Sequence, residues 1–199
     1  MRPTPALLHL RRHADGLLVA AGRIEPVRFV IDPASGHPVM AVQPDLVDAD
    51  APTLHVPDDD DLALQMLGSP VRLDPAVDGR CDRFLIHLGP PKGRNHHAWI
   101  MLAVEQVRFM GEVIDPGEVV QANPFAHAEA AACRRANAEP AALGRACLAA
   151  GAAVDAPMLV GIDPLGADVR APFGLVRIEW PVAPVASVDA ALDLLLKPA

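Results

Sequence analysis

Cysteine is scarce in this sequence. There are three in 199 residues, Cys81, Cys133 and Cys147, and none stands in a C-x-x-C pair. So sparse and odd a count excludes a disulfide framework and suits a reducing compartment, so a cytoplasmic protein is expected. Long apolar runs are missing too: nothing approaches the roughly 18 uninterrupted apolar residues of a membrane span. The N-terminal stretch is broken by Arg11, Arg12, His13 and Asp15, so it lacks the continuous apolar segment of a signal peptide. Positive charge is in deficit, with 17 basic against 25 acidic residues and a net charge of −8. That excludes a general phosphate-backbone binder, and no nucleic-acid partner is expected. G-x-S-x-G, Walker, G-x-G-x-x-G and H-E-x-x-H patterns are all absent, as are repeats and low-complexity linkers.

What remains is an ordinary globular composition, 51% hydrophobic and 21% charged. It is long enough for one sizeable core, or for a barrel of about 120 residues with a small appended unit. The leucines of residues 4–22 fall near one face and predict a helix. Val27 to Ile31 and Val39 to Gln43 read as strands joined by the turn formers Asp32-Pro33-Ala34-Ser35-Gly36. "PTLHVP" reads as a third strand. In "DDDDLALQMLG", Asp58 to Asp61 stand where a helix N-cap and first turn favour negative charge, with Leu62 and Met66 as the apolar side and Gly68 and Pro70 as the stop. "VRLDP" and "RFLIHLG" look strand-like. "GPPKGRNHH" is a loop leading into "AWIMLAVEQVRFMGEVID", which is one bent strand or two.

After Asn123 the character changes. An alanine-rich stretch divided by Pro140 predicts two helices. "MLVGIDPLGADVRAPFGLVRIEWP" predicts a small sheet, and Ser187 caps a last helix. The fold class expected is α+β: an antiparallel barrel over residues 1–120 and a C-terminal α/β unit over 121–199, with the boundary near Asp115 to Asn123.

The segment opening "DPASGHPVMAVQP", a D-x-x-x-G-x-P hairpin leading into a strand, resembles the split-barrel proteins related to pyridoxamine phosphate oxidase. The C-terminal portion is similar to the small domain of their haem-utilisation (HugZ-like) branch. The matching positions are His127, Ala128 and Glu129, then Asp163, Gly166 and Asp168, then Arg177. The resemblance implies a homodimeric, FMN-binding-like split barrel with ligands at or near the subunit interface. FMN is the ligand across the superfamily; some members of the branch bind haem and open its ring oxidatively.

Two departures bear on the cofactor. Where flavin-binding relatives present basic and hydroxyl groups to a phosphate, this chain offers Asp58, Asp59, Asp60 and Asp61, and a dianion beside carboxylates is repelled. FMN is therefore less favoured than haem. The ligand histidine of the haem branch lies in a C-terminal tail, and this chain has no histidine after His127. The resemblance therefore carries over no ligand; from their chemistry alone, the residues that suit haem are those of "PPKGRNHHAW": His96 or His97 to ligate iron, Lys92 or Arg94 to pair with propionates, and Trp99 to pack on the macrocycle. Neighbouring strand residues face opposite ways, so only one histidine could serve. The competing reading is a polar hairpin loop. His127 with Glu129 forms either an acid–base pair or a structural junction. Arg28, Arg72, Arg83 and Arg108 are read as outward-facing strand residues, and Cys133 and Cys147 as small apolar fillers. Three functions stay open: haem binding with or without ring opening, flavin-dependent oxidoreduction, and a cofactor-free binding module.

Overall fold

The computed structural model describes residues 3–58, 60, 62–91, 97–182 and 184–197. Two compact units divide the chain, one of Thr4–Ala122 and one holding Asn123–Ala199.

The first unit opens with helix α1 (Pro5–Arg12). Thr4 caps it by accepting the Leu7 N–H at 3.2 Å, and Pro5 takes the first position, where a missing N–H is harmless. The helix expected over 4–22 stops there. Strand β1 (Asp15–Ala20) follows, because Gly16, Leu18 and Ala20 bury one face with period two while Leu17 and Val19 lie on the other. Strands β2 (Arg23–Ile31) and β3 (Pro38–Val42) form the expected hairpin. Its turn is closed by Asp32, whose carboxylate accepts the Ala34 and Ser35 N–H groups and the Ser35 hydroxyl. Gly36 is required in that turn, since its φ is +81° and a Cβ would come within 2.5 Å of the Gln121 backbone.

Strand β4 (Thr53–Val56) is followed by β5 (Leu64–Leu73), where a helix is expected. The period explains the difference. Leu64, Met66 and Gly68 are buried in alternation, whereas Leu62, the start of the supposed helical face, is 62% exposed. Gly68 does not stop a helix; it carries the bulge between β5 and β6, and a Cβ there would meet the Ala103 carbonyl oxygen at 2.1 Å. Of the aspartates, Asp60 accepts the Leu62 N–H at 2.8 Å in the β4–β5 connection, while Asp59 and Asp61 lie outside the described residues. The run "RFLIHLG", read as a strand, belongs to helix α2 (Gly79–Leu88). Asp78 caps it, and Cys81, Phe84 and Leu88 are buried at helical spacing. Strand β6 (Ala98–Phe109) and the short β7 (Glu112–Ile114) complete the unit as two strands.

The antiparallel strands run in the order β3-β2-β1-β4-β5-β6, and β6 pairs back onto β3, closing a six-stranded barrel with β7 as an extra strand beside β6. Leu18, Phe29, Met40, Leu54, Met66, Ile100 and Leu102 fill it and are almost inaccessible to solvent.

In the second unit, α3 (Ala126–Asn137) and α4 (Pro140–Ala149) precede the sheet of β8 (Met158–Asp163), β9 (Gly166–Ala171) and β10 (Gly174–Glu179), followed by α5 (Val188–Leu196). The sheet is antiparallel in the order β10-β9-β8. Pro140 starts α4 and Ser187 caps α5, as expected. Leu143, Cys147, Leu159, Val169, Trp180 and Leu192 build its core. The chain is thus α+β, with five α-helices among the described residues. None of those helices is long and apolar enough to cross a membrane.

Candidate functional site

Strand alternation prepares the site. Leu18, Val27, Phe29, Met40 and Val42 point into the barrel core. Their strand neighbours Leu17, Pro26, Arg28 and Ala41 therefore face outward, and register places Leu17 opposite Pro26 and Asp15 opposite Arg28. Helix α2 lies against this outer surface through two arginines. Arg28 donates to the Leu88 carbonyl at 3.0 Å, satisfying an open carbonyl at the helix end. Arg83 donates to the Ile31 carbonyl at 3.1 Å.

Between them is a cavity of about 480 Å³, within the size range of small-molecule sites. Its walls are largely apolar, with Leu17, Pro26, Phe84, Pro90 and Pro91 contributing, and its ionisable residues are Asp15, Glu25, Arg28, Asp58 and His97. Arg28 is the cavity's arginine, and Asp15 stands 3.3 Å from it as an ion pair.

Two side chains in this cavity are conspicuous. Both ring nitrogens of His97 are buried and have no hydrogen-bond partner among the described residues, and the same holds for Oε2 of Glu25. An orphaned buried polar atom costs about 1–3 kcal/mol, so each needs an explanation. Burial pushes the Glu25 carboxyl above its ordinary range; a hydrogen bond from the Gln43 backbone and the charges of Arg23 and His97 oppose that shift without cancelling it.

The sequence candidates divide as follows. His97 is brought to the cavity wall, directly before β6. Trp99, one residue into that strand, packs edge-on against Phe84, with ring centroids 5.1 Å apart and planes at 87°. Phe84 is the aromatic ring that lines the cavity. Lys92, Arg94 and His96 lie outside the described residues; Pro91 and His97, which bracket them in sequence, both line the cavity. Among the outward arginines, Arg72 pairs with Asp48 at 2.9 Å. No cluster of three or more metal-ligating side chains occurs among the described residues.

His127 and Glu129 part company in the second unit: His127 is exposed, whereas Glu129 is buried and accepts the Ile162 N–H at 3.2 Å, joining α3 to β8. The resemblance motif there is a buried ion cluster. Arg177 bonds both oxygens of Asp163 at 2.8 and 2.9 Å and Asp168 at 3.0 Å, and its side chain is 9% exposed.

Glu25, Asp15 and Phe84 were not among the sequence candidates. Glu25 left no strand signal, since the strand expected from the sequence begins at Val27, after Pro26. Phe84 could not be found while its segment was read as a strand.

No protein-family model and no curated protein matches this chain. A solved structure does. The protein Atu2129 of Agrobacterium tumefaciens str. C58, of unknown function, superposes with a TM-score of 0.70 over 96% of this chain and 94% of its own, at 21% sequence identity. At that identity the likeness concerns the fold.

Proposed function

We propose that the first unit is an FMN-binding-like split barrel of the haem-utilisation type, carrying the C-terminal α/β unit, acting as a homodimer and binding haem in the cavity between α2 and the outer face of the barrel. His97 is the iron ligand in this reading. One observation carries it: an imidazole whose two nitrogens are buried and without a partner among the described residues stands on the wall of a largely apolar cavity. A neutral imidazole nitrogen is the commonest protein ligand to haem iron, and a flat apolar macrocycle suits walls such as Leu17, Pro26 and Phe84.

The fit to the two cofactors differs. A protein-held phosphate needs fixed cations, and the cavity sets Asp15, Glu25 and Asp58 against an Arg28 already bonded to Asp15 and Leu88. The phosphate of FMN does not suit that surround. Haem carries its two carboxylates on one edge, on flexible arms that reach solvent, and this reading assigns them to Lys92 and Arg94. A bound haem supplies an iron that takes dioxygen once reduced. The protein's residues would supply the ligand and the apolar walls.

The test is absorbance titration of the purified protein with hemin and, separately, with FMN, repeated on His97→Ala. The expected result is a saturable Soret band with hemin, lost in His97→Ala, and no saturable binding of FMN. Hemin binding unchanged by His97→Ala would remove this ligand assignment. No hemin binding with tight FMN binding would replace the reading with flavin chemistry, and binding of neither would leave a cofactor-free module.

A further inference from the structure

The guanidinium of Arg28, on the cavity wall, is only partly used. Its Nη1 donates to the Leu88 carbonyl at 3.0 Å, which fixes the group against the end of α2, and its Nε stands 3.3 Å from Asp15. A guanidinium carries five N–H donors in a planar fork, and those on Nη2 have no partner among the described residues. The Asp15 side chain is 75% exposed and that of Arg28 29%. An ion pair so open to water is weakly held. A ligand carboxylate can therefore share the guanidinium with Asp15 or take its place.

Strand register sets an apolar surface beside this charge. On the outward face of β1 and β2 the Asp15–Arg28 rung is followed, two residues along, by the rung of Leu17 and Pro26, and Phe84 of α2 lines the same cavity. The acids limit which anion fits. A phosphate dianion would meet Asp15, Glu25 and Asp58 with one guanidinium to offset them, whereas a carboxylate carries a single charge and needs one N–H edge. We infer that Arg28 is the specificity-determining residue of this cavity: its Nη2 edge holds the carboxylate of a ligand whose apolar body lies along Leu17, Pro26 and Phe84. Resting on the haem reading, that carboxylate is one propionate, and Lys92 and Arg94 are left for the other.

The experiment titrates wild type, Arg28→Gln and Asp15→Asn with hemin and with its propionate diester, and by calorimetry with naphthoate and its neutral counterpart naphthamide. Arg28→Gln should weaken hemin binding about ten-fold and leave the diester's affinity as it was. Because that variant also gives up the bond to Leu88, Asp15→Asn, at an exposed carboxylate, is the second test. It removes the competing charge and should strengthen hemin binding about three-fold, again without effect on the diester. If wild type binds hemin but neither variant changes its affinity relative to the diester, the anchor is overturned and the haem reading stands. If wild type takes no hemin but prefers naphthoate to naphthamide, with the same opposite responses to the two substitutions, the anchor stands and the haem reading goes. If neither hemin nor naphthoate binds, both are overturned.

Discussion

Arg177 in the C-terminal unit and Glu25 in the barrel unit are both charged residues set in strands beside apolar neighbours, and their surroundings differ. Arg177 is met by Asp163 and Asp168 through three hydrogen bonds of 3.0 Å or less, and Asp163 also receives the Leu165 and Gly166 N–H groups. Glu25 keeps one buried oxygen, and His97 two buried nitrogens, without a partner among the described residues, and both line the same cavity. The first arrangement is complete within the chain and has structural work to do. The second lacks a partner among the described residues, and such a group needs an explanation. Buried polarity therefore separates scaffold from site in this molecule more clearly than any motif does.

The largest expected effect breaks the paired side of that contrast. Arg177→Met strands two carboxylates in the C-terminal unit and should cost about 3–5 kcal/mol in urea unfolding; a loss below about 1 kcal/mol would mean that the cluster is solvated and the contrast false. On the unpaired side the sign reverses. The Glu25 carboxyl is raised by burial, so it favours the folded state while protonated, at low pH, and that contribution is lost as pH rises through its folded value. Glu25→Gln should consequently leave stability at pH 7 unchanged or raise it by up to about 1 kcal/mol. A marked destabilisation would make Glu25 part of the scaffold.

A smaller effect concerns His37, whose Nδ1 accepts the Val104 N–H at 3.2 Å. Burial lowers its pKa below 6.5, against the pull of Asp32. The unfolded chain then takes up the proton first, so stability is full above about pH 6.5 and declines as pH falls toward the folded value. His37→Asn retains an acceptor that does not titrate, and denaturation midpoints measured across pH 5–7 should flatten. The smallest effect is chemical. Burial and the nearby Asp78 push the Cys81 thiol up to about 11, so a disulfide reagent should label it only as fast as the native protein opens.

The sequence made the C-terminal unit more legible than the barrel's first half. There, Pro140, Ser187 and the Asp163–Gly166 turn are local signals that no distant contact overrides. In the barrel, Leu17–Leu18 and Leu64–Met66 fit both helical and strand periods, and pairing with neighbours far along the chain decided for strand. The reverse occurred at "RFLIHLG", where the Asp78 cap outweighed a β-like apolar run. Of the site, His97 was legible as chemistry in a loop, whereas the cavity depends on α2 lying against β2 and β3, an arrangement no local pattern encodes. Glu25 was not legible, because the expected strand starts at Val27 whereas β2 reaches back to Arg23.

In the proposed reading the imidazole of His97, without a partner among the described residues, ligates a haem iron. A structure of the protein soaked with hemin, with the iron located by its anomalous scattering, tests it most directly. The expected result is an iron at bonding distance from a ring nitrogen of His97, in the cavity between α2 and the outer face of the barrel. An iron site elsewhere on the molecule, or a cavity holding only water after soaking, would contradict it.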